Sequence, residues 1–528
     1  MHLINTEPDT LSAFRTTTTN MPENRLSPTI SLPTADPFAA PQRSGLIANL
    51  LDELERESVA YCHWKSNWRI ERWLTGDGDL DLLVADRDVG KFTTVLSRLG
   101  FRKALPPQEK ELPGIVNFYG FDEQAKTFIH VHAHYRLVFG HDATKNYHLP
   151  IESALIDSAR KTCGIFVAAP EHELILFAIR MTLKFSAAES LARRMLGSFA
   201  DSSRAIQDEI RFLEARSDII ELRRALRILF PMVKPELFDR CLDALRHGSG
   251  IGEQLSAKRE LVRALSAHSR LSRAVESSLR SVRSAAGLVR LSGLSGASLK
   301  RFESGGSMIA FVGGDGSGKS SSVSEISRWL SKRFLTRTIH MGKPPKTVLT
   351  LAVAAAQRAA ARLTKIGYWA RPRYRLLKTE NADFLQLLRW FCIARDRYRL
   401  YRTARRFAAN GGIVLCDRFP VRKISLMDGP KIERSVSRSS HGVAIRYLIR
   451  KERWYYSQIL PPDMLIVLRV DPDIAVARKT DESPQHVRPR ATELWQIDWE
   501  GTSAHVIETG VEWPLVLTQL RKVIWERI

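Results

Sequence analysis

The chain has 528 residues, enough for about three domains, and 44% are hydrophobic, which supplies ordinary cores. Its formal net charge of +23 favours polyanionic partners such as nucleotides, nucleic acid or anionic lipid, unless the protein is simply basic throughout. Five scattered cysteines (Cys62, Cys163, Cys241, Cys392, Cys416) with no CxxC pair argue against a disulfide framework or a zinc knuckle.

Residues 1–44 are rich in Thr, Ser, Pro and Asn, bury little apolar surface and read as a disordered tail. The scattered cysteines suit a reducing cytoplasm, which is the expected location, and no signal-peptide pattern is visible. From Gly45 a helical pattern (Leu46, Leu50, Leu51, Leu54) leads to a short strand at Val59 to His63. Leu80, Leu82, Leu83 and Val84 then place Asp79 and Asp81 at the start of another strand. Two carboxylates one residue apart on a strand share a face, a way to hold Mg²⁺ for in-line nucleotidyl transfer. The alternative is a turn, because Gly76-Asp77-Gly78-Asp79 has turn chemistry.

This segment resembles the minimal nucleotidyltransferase superfamily. In that family a small-residue turn precedes the D-x-D strand, and Lys65-Ser66 stands in its place here. The family's third carboxylate lies on a later strand. The matching strand here is Thr127 to His134, which offers His130, His132 and His134 and no acid. Histidines at i, i+2 and i+4 share a strand face, which suits a metal or a phosphate- or substrate-contacting surface. The resemblance implies an α+β nucleotide-binding domain over residues 45–169, with Asp79 and Asp81 as metal ligands.

Residues 170–286 read as helical, starting with Pro170 to Phe185, whose start is acidic and end basic. Arg270, Arg273, Arg280, Arg283 and Arg290 make the last part strongly basic, either a solvated face or a grip for nucleic acid or another polyanion. Residues 287–306, with several Gly and Ser, read as a linker.

An apolar run, Met308 to Val312, precedes Gly313, Asp315, Gly316, Ser317, Gly318, Lys319, Ser320 and Ser321. Gly-x4-Gly-Lys-Ser between a strand and a helix is the P-loop pattern. Its glycines let backbone N–H groups face phosphate oxygens, with the helix N-terminus behind them. Lys319 would reach the β- and γ-phosphates of ATP and Ser320 would hold Mg²⁺. Apolar runs at Ile413 to Cys416, Met464 to Val470 and His505 to Ile507 alternate with helical patterns, as in a parallel sheet covered by helices. The most apolar stretch, Val348 to Leu363, is interrupted by Gln357, Arg358 and Arg362 and reads as a helix, so no membrane span is expected.

In this order the blocks resemble the thymidylate kinase family across residues 307–528. ARDRY (Ala394 to Tyr398) matches its Asp-Arg helix, and GGIVLCDRF (Gly411 to Phe419) its Asp-Arg-aromatic strand end. PPDMLIVLRVDPDIAVAR (Pro461 to Arg478) matches the strand and helix before the lid, and Arg478 to Arg490 the lid itself. Asp315 stands where many members carry an acid. The family's Pro-Gly-Gly-Thr turn is replaced by TIHMGKPPK (Thr338 to Lys346), and a long basic insertion follows from Thr347 to about Asp383. The resemblance implies that Lys319, Asp417, Arg418 and Arg488 are catalytic, with Asp417 near Mg²⁺. It also implies that Arg397, Arg478 and Arg490 bind phosphates. The expected reaction is Mg-ATP-dependent phosphorylation of a nucleoside monophosphate. The rivals are a P-loop kinase of another small molecule and an ATP-gated binder of nucleic acid or a partner.

Overall fold

The apolar runs of the sequence form two main sheets joined by a shared core. The structure, a computed structural model, describes residues 44–107, 110–187, 190, 199–247, 250–291, 299–365, 384–424, 428–436, 442–480 and 482–528. Apart from Ser44, the expected tail lies outside these residues, as do 292–298 of the expected linker and 366–383 of the insertion.

The first sheet begins with β1 (Tyr61–His63), β2 (Asp79–Val84), β3 (Arg102–Leu105), β4 (Ile115–Asp122) and β5 (Thr127–His134). A small separate hairpin, β6 (Val138–Phe139) and β7 (Tyr147–His148), follows. Then β8 (Arg160–Thr162), β9 (Ile165–Val167) and the distant β10 (Arg301–Phe302) complete the order β10-β3-β4-β5-β2-β1-β9-β8. Alternation along β2 and β5 sends Leu80, Leu82, Val131 and Ala133 into a core with Leu50 and Leu54 of the helix Gly45–Arg56 and Phe92 of the helix Val89–Arg98. Asp79, Asp81, His130, His132 and His134 therefore share the opposite face.

The helix Pro170–Lys184 starts on a proline, which suits a first turn whose N–H groups lack partners, and it is buried along most of its length. Helices Phe199–Glu214, Ile219–Leu229, Pro235–Arg246 and Ile251–Ala264 pack around it, and Asp218 caps the second of these through Ile220 and Glu221. The helix Arg273–Leu291 is followed by β10, which pairs antiparallel with β3 at the sheet edge.

The second sheet is wholly parallel: β11 (Met308–Gly313), β12 (Thr336–His340), β13 (Ile413–Asp417), β14 (Met464–Arg469) and β15 (Ala504–Glu508). Its order is β12-β13-β11-β14-β15, so the chain reverses direction across the sheet beside β11. In such sheets ligands bind outside the carboxyl ends of the strands at that reversal, where the loop after β11 lies. Ala104, Tyr119, Phe121 and Phe128 of the first sheet share one core with Val323, Ile326 and Trp329 of the helix Lys319–Leu330 and with Trp525. Phe128 stacks on Trp329 with ring centres 4.9 Å apart. The described residues from Ser44 to Ile528 accordingly pack as one unit. Among the described residues no helix is long and apolar enough to cross a membrane.

Candidate functional site

The loop between β11 and the helix Lys319–Leu330 is built by backbone that only glycine adopts easily. Gly316 (φ +83°) and Gly318 (φ +79°) are left-handed, and a Cβ on Gly316 would stand 2.6 Å from the Ala475 carbonyl oxygen. Lys319 is buried and donates to the Gly314 carbonyl oxygen at 2.5 Å. Burial brings its pKa down to about 8, although Asp315 and Asp417 oppose the fall. Ser320 donates to Asp417 Oδ2 at 2.9 Å, while Asp417 Oδ1 is buried with no hydrogen-bond partner. A serine hydroxyl and a carboxylate with one unsatisfied oxygen are hard oxygen donors of the kind that suits Mg²⁺.

Asp315 ties three parts of this region together. Its Oδ1 accepts from Arg418 at 3.2 Å, and its Oδ2 accepts from Arg490 at 2.6 Å. Burial works against its ionisation, but Arg490, Lys319 and Arg418 prevail and hold the carboxyl below its usual range. Arg418 sits at φ +67°, an uncommon conformation for a side chain of this size and one found preferentially at functional sites. Arg397 is buried, donating from Nε to Met341 O (2.7 Å) and from Nη1 to Asp428 O (2.6 Å) and Tyr456 Oη, and pairing with the Asp428 carboxylate (3.2 Å). It thereby braces the turn after β12.

A second polar cluster lies on the first sheet. The parallel register of β2 and β5 sets Asp79 opposite His130 and Asp81 opposite His132. His130 Nδ1 is 2.7 Å from Asp79 Oδ1, and its Nε2 is 3.0 Å from Asn117 Oδ1. Three nitrogen atoms converge on Asp81 Oδ1: Lys65 Nζ at 2.8 Å, His132 Nδ1 at 2.9 Å and His134 Nε2 at 3.3 Å. Burial opposes ionisation of Asp81, but the Lys65 ammonium and the two imidazoles hold its carboxyl well below the usual range. Burial brings His134 down to about 3 and His130 to about 4, so both rings are neutral at pH 7. A cavity of about 640 Å³ adjoins the cluster, lined in part by Lys65, His132, Lys145, Arg180, Lys184 and Arg283.

No protein-family model matches the chain. It is 26% identical over 228 residues to "Uncharacterized ATP-binding protein YghR" of Escherichia coli strain K12, covering 41% of this chain and 86% of that protein. The protein of the same name from E. coli O6:H1 aligns equally well. Among solved structures, a thymidylate kinase from Candida albicans aligns over 42% of this chain and 91% of its own, at 17% identity and a TM-score of 0.27. A deoxyadenosine kinase from M. mycoides with bound dATP aligns over 41% and 98%, at 13% identity and a TM-score of 0.26.

The structure brings Asp315, Lys319, Ser320, Asp417, Arg418 and Arg490 together around one loop. Gly313 ends β11, and Ser317 is fully buried with an unpartnered hydroxyl. Ser321 is exposed in the first turn of the following helix. Arg488 pairs instead with the exposed Asp473 at 2.6 Å, and Arg478 donates to the Thr509 carbonyl oxygen at 2.9 Å. Of the basic middle arginines, Arg283 is half-buried and donates to Ala143 O at 2.6 Å, whereas Arg270 stays exposed and donates to Lys145 O at 3.2 Å. Sequence reasoning missed Asp428, Lys145, Arg180 and Lys184. Only the basic end of Pro170–Lys184 hinted at the last two.

Proposed function

We propose that the region from Ser307 to Ile528 is a P-loop phosphotransferase that moves the γ-phosphoryl group of ATP to a nucleoside monophosphate. The observation that carries this reading is the convergence of Lys319, Ser320–Asp417, Arg418 and Arg490 on the loop after β11. Phosphoryl transfer is mainly positioning and neutralisation of charge, and these are groups for that work. Lys319 now donates to a loop carbonyl, an acceptor that a β- or γ-phosphate oxygen replaces. Ser320 and Asp417 would hold Mg²⁺, which when bound neutralises phosphate charge. Asp315 holds Arg418 and Arg490 near the transfer position before phosphate arrives, and phosphoryl oxygens compete for both. Arg397 acts through the turn it braces rather than on phosphate directly. We assign residues 45–169 as a nucleotide-binding unit of nucleotidyltransferase type and 170–286 as its helical partner.

The test is purified protein with Mg-ATP and a panel of nucleoside monophosphates, read by mass spectrometry. The expected result is one or a few diphosphate products, lost in Lys319→Ala. Phosphorylation of none of the panel, with ATP hydrolysis stimulated by nucleic acid, would overturn the kinase reading in favour of a nucleotide-gated binding protein.

A further inference from the structure

We propose that Asp81, His132 and His134 form a mononuclear site for a divalent transition metal of the Zn²⁺ class, opening into a cationic cavity that supplies a polyphosphate as its remaining ligand. This goes beyond nucleotide binding by naming the ion and the anion, and it does not rest on the kinase reading.

One ligand atom from each of the three residues can be chosen so that all lie within 4.8 Å of one another. Two ligand atoms bound tetrahedrally to one Zn²⁺ stand roughly 3.3 Å apart, given metal–ligand distances of about 2.0–2.2 Å. The observed separations from Asp81 Oδ1 to the two imidazole nitrogens, 2.9 and 3.3 Å, need little adjustment. The rings are also held: Trp64 packs edge-on against His134 at 5.1 Å, and the two histidine rings meet at 4.5 Å. Asp79 is turned to a different task, since His130 bridges it to Asn117.

The ligand chemistry decides the class of ion. Two imidazoles and one carboxylate suit zinc, cobalt, manganese or iron, whereas Mg²⁺ prefers octahedral oxygen and dehydrates reluctantly. Lys65 shows that a cation is wanted at this spot, because its ammonium occupies the approach to Asp81 Oδ1 at 2.8 Å. It also lines the cavity, so it has an anion to turn to when a metal displaces it.

The cavity fixes the chemistry of the other ligand. Six cationic side chains, Lys65, Lys110, Lys145, Arg180, Lys184 and Arg283, line the cavity beside one carboxylate, Asp142; of these, Lys65 also pairs with Asp81 at 2.8 Å and Arg180 with Glu209 at 3.5 Å. Asp142 is already engaged by Lys145 at 3.0 Å and Lys184 at 2.7 Å. A volume of about 640 Å³ with this excess of positive charge fits a multiply charged anion such as a tripolyphosphate chain. His132 lines the same cavity, so an anion inside it has access to a metal at the site.

The experiment uses the full chain, stripped with chelator and titrated with Co²⁺ by visible absorption and calorimetry. The expected result is one site with d–d bands, displaced by Zn²⁺ and retained against Mg²⁺ at about 100-fold excess. His132→Gln and His134→Gln should each weaken binding by about tenfold or more. Lys65→Met should tighten Co²⁺ binding, an effect that misfolding does not produce. Inorganic tripolyphosphate should then shift the bands of the wild type, and shift them less in Lys184→Gln. Equal isotherms for wild type, His132→Gln and His134→Gln would overturn the site, as would weaker binding by Lys65→Met. Displacement by equimolar Mg²⁺ would overturn the metal class, and bands indifferent to tripolyphosphate would overturn the anion. Co²⁺ bound without any response to nucleotides would reject only the nucleotide-binding assignment.

Discussion

The two polar sites of this protein are assembled in opposite ways. The loop after β11 gathers its chemistry from neighbours in sequence: Gly316, Gly318, Lys319 and Ser320 lie within five residues. The cluster on the first sheet gathers Asp81 and His132 through strand register, across fifty residues of chain. One buries a lysine beside acids, the other a carboxylate beside imidazoles and a lysine. A contiguous cradle depends on local backbone conformation. A cross-strand cluster depends on every residue that sets the register, including the core that joins it to the first site. A substitution in that core therefore bears on both sites at once.

The largest expected effect tests that shared core. Trp329→Ala should destabilise the protein by about 3–5 kcal/mol, as large-to-small changes at buried aromatics do. Hydrogen exchange should quicken in both β5 and the helix Lys319–Leu330, because Phe128 stacks on this ring. Loss of protection in the helix alone would show that the two regions are energetically separate.

Next is the lysine itself. Lys319→Ala should lower phosphoryl transfer by about 10²–10³-fold, the range for removing one preorganised charge-stabilising donor. Circular dichroism should stay unchanged. Full turnover in that variant refutes the proposed role of the loop.

The arginines of the helix Pro484–Gln496 sharpen the assignment. Arg490→Ala should cost about tenfold in kcat/KM, the scale of one charge-assisted contact of about 1.5–3 kcal/mol. Arg488→Ala should cost much less, since Arg488 pairs with exposed Asp473. The reverse ranking in steady-state kinetics would exchange their roles.

The smallest effect concerns pH. Burial lowers His63 to about 4, against its pull towards Asp81 and Asn67. The unfolded chain, titrating near 6.5, binds this proton first, so stability tied to a neutral His63 is full above about pH 6.5 and falls on acidification towards 4. His63→Phe keeps a flat ring against Trp73 and removes that titration. The melting-temperature gap between wild type and variant should narrow from pH 6.5 to 4. A constant gap would mean that His63 is protonated in the folded protein.

Several features were legible in sequence for physical reasons. The P-loop is local, so its spacing alone carries the cradle. The strand Thr127–His134 shows its alternation directly, and Asp471-Pro472 opens the helix Pro472–Arg478, with the Asp471 side chain accepting from Asp473 and Ile474. The choice between Arg488 and Arg490 was not legible. Arg488 and Arg490 lie two residues apart on the helix Pro484–Gln496, roughly 200° around its axis, so only one of them reaches the loop. That choice depends on how the helix is docked.

The sequence by itself determined the glycine-rich loop after β11, the D-x-D and H-x-H-x-H faces and four strands of the second sheet, β11, β13, β14 and β15. Each follows from a period or a short motif that neighbouring residues enforce. Tertiary structure alone decided that β10 closes the edge of the first sheet and that Phe128 and Trp329 share a core. It also decided that Lys65, His132 and His134 meet at one oxygen of Asp81 and that lysines and arginines from distant segments enclose one cavity. Those outcomes depend on burial and register between segments far apart in the chain, and no local pattern encodes them.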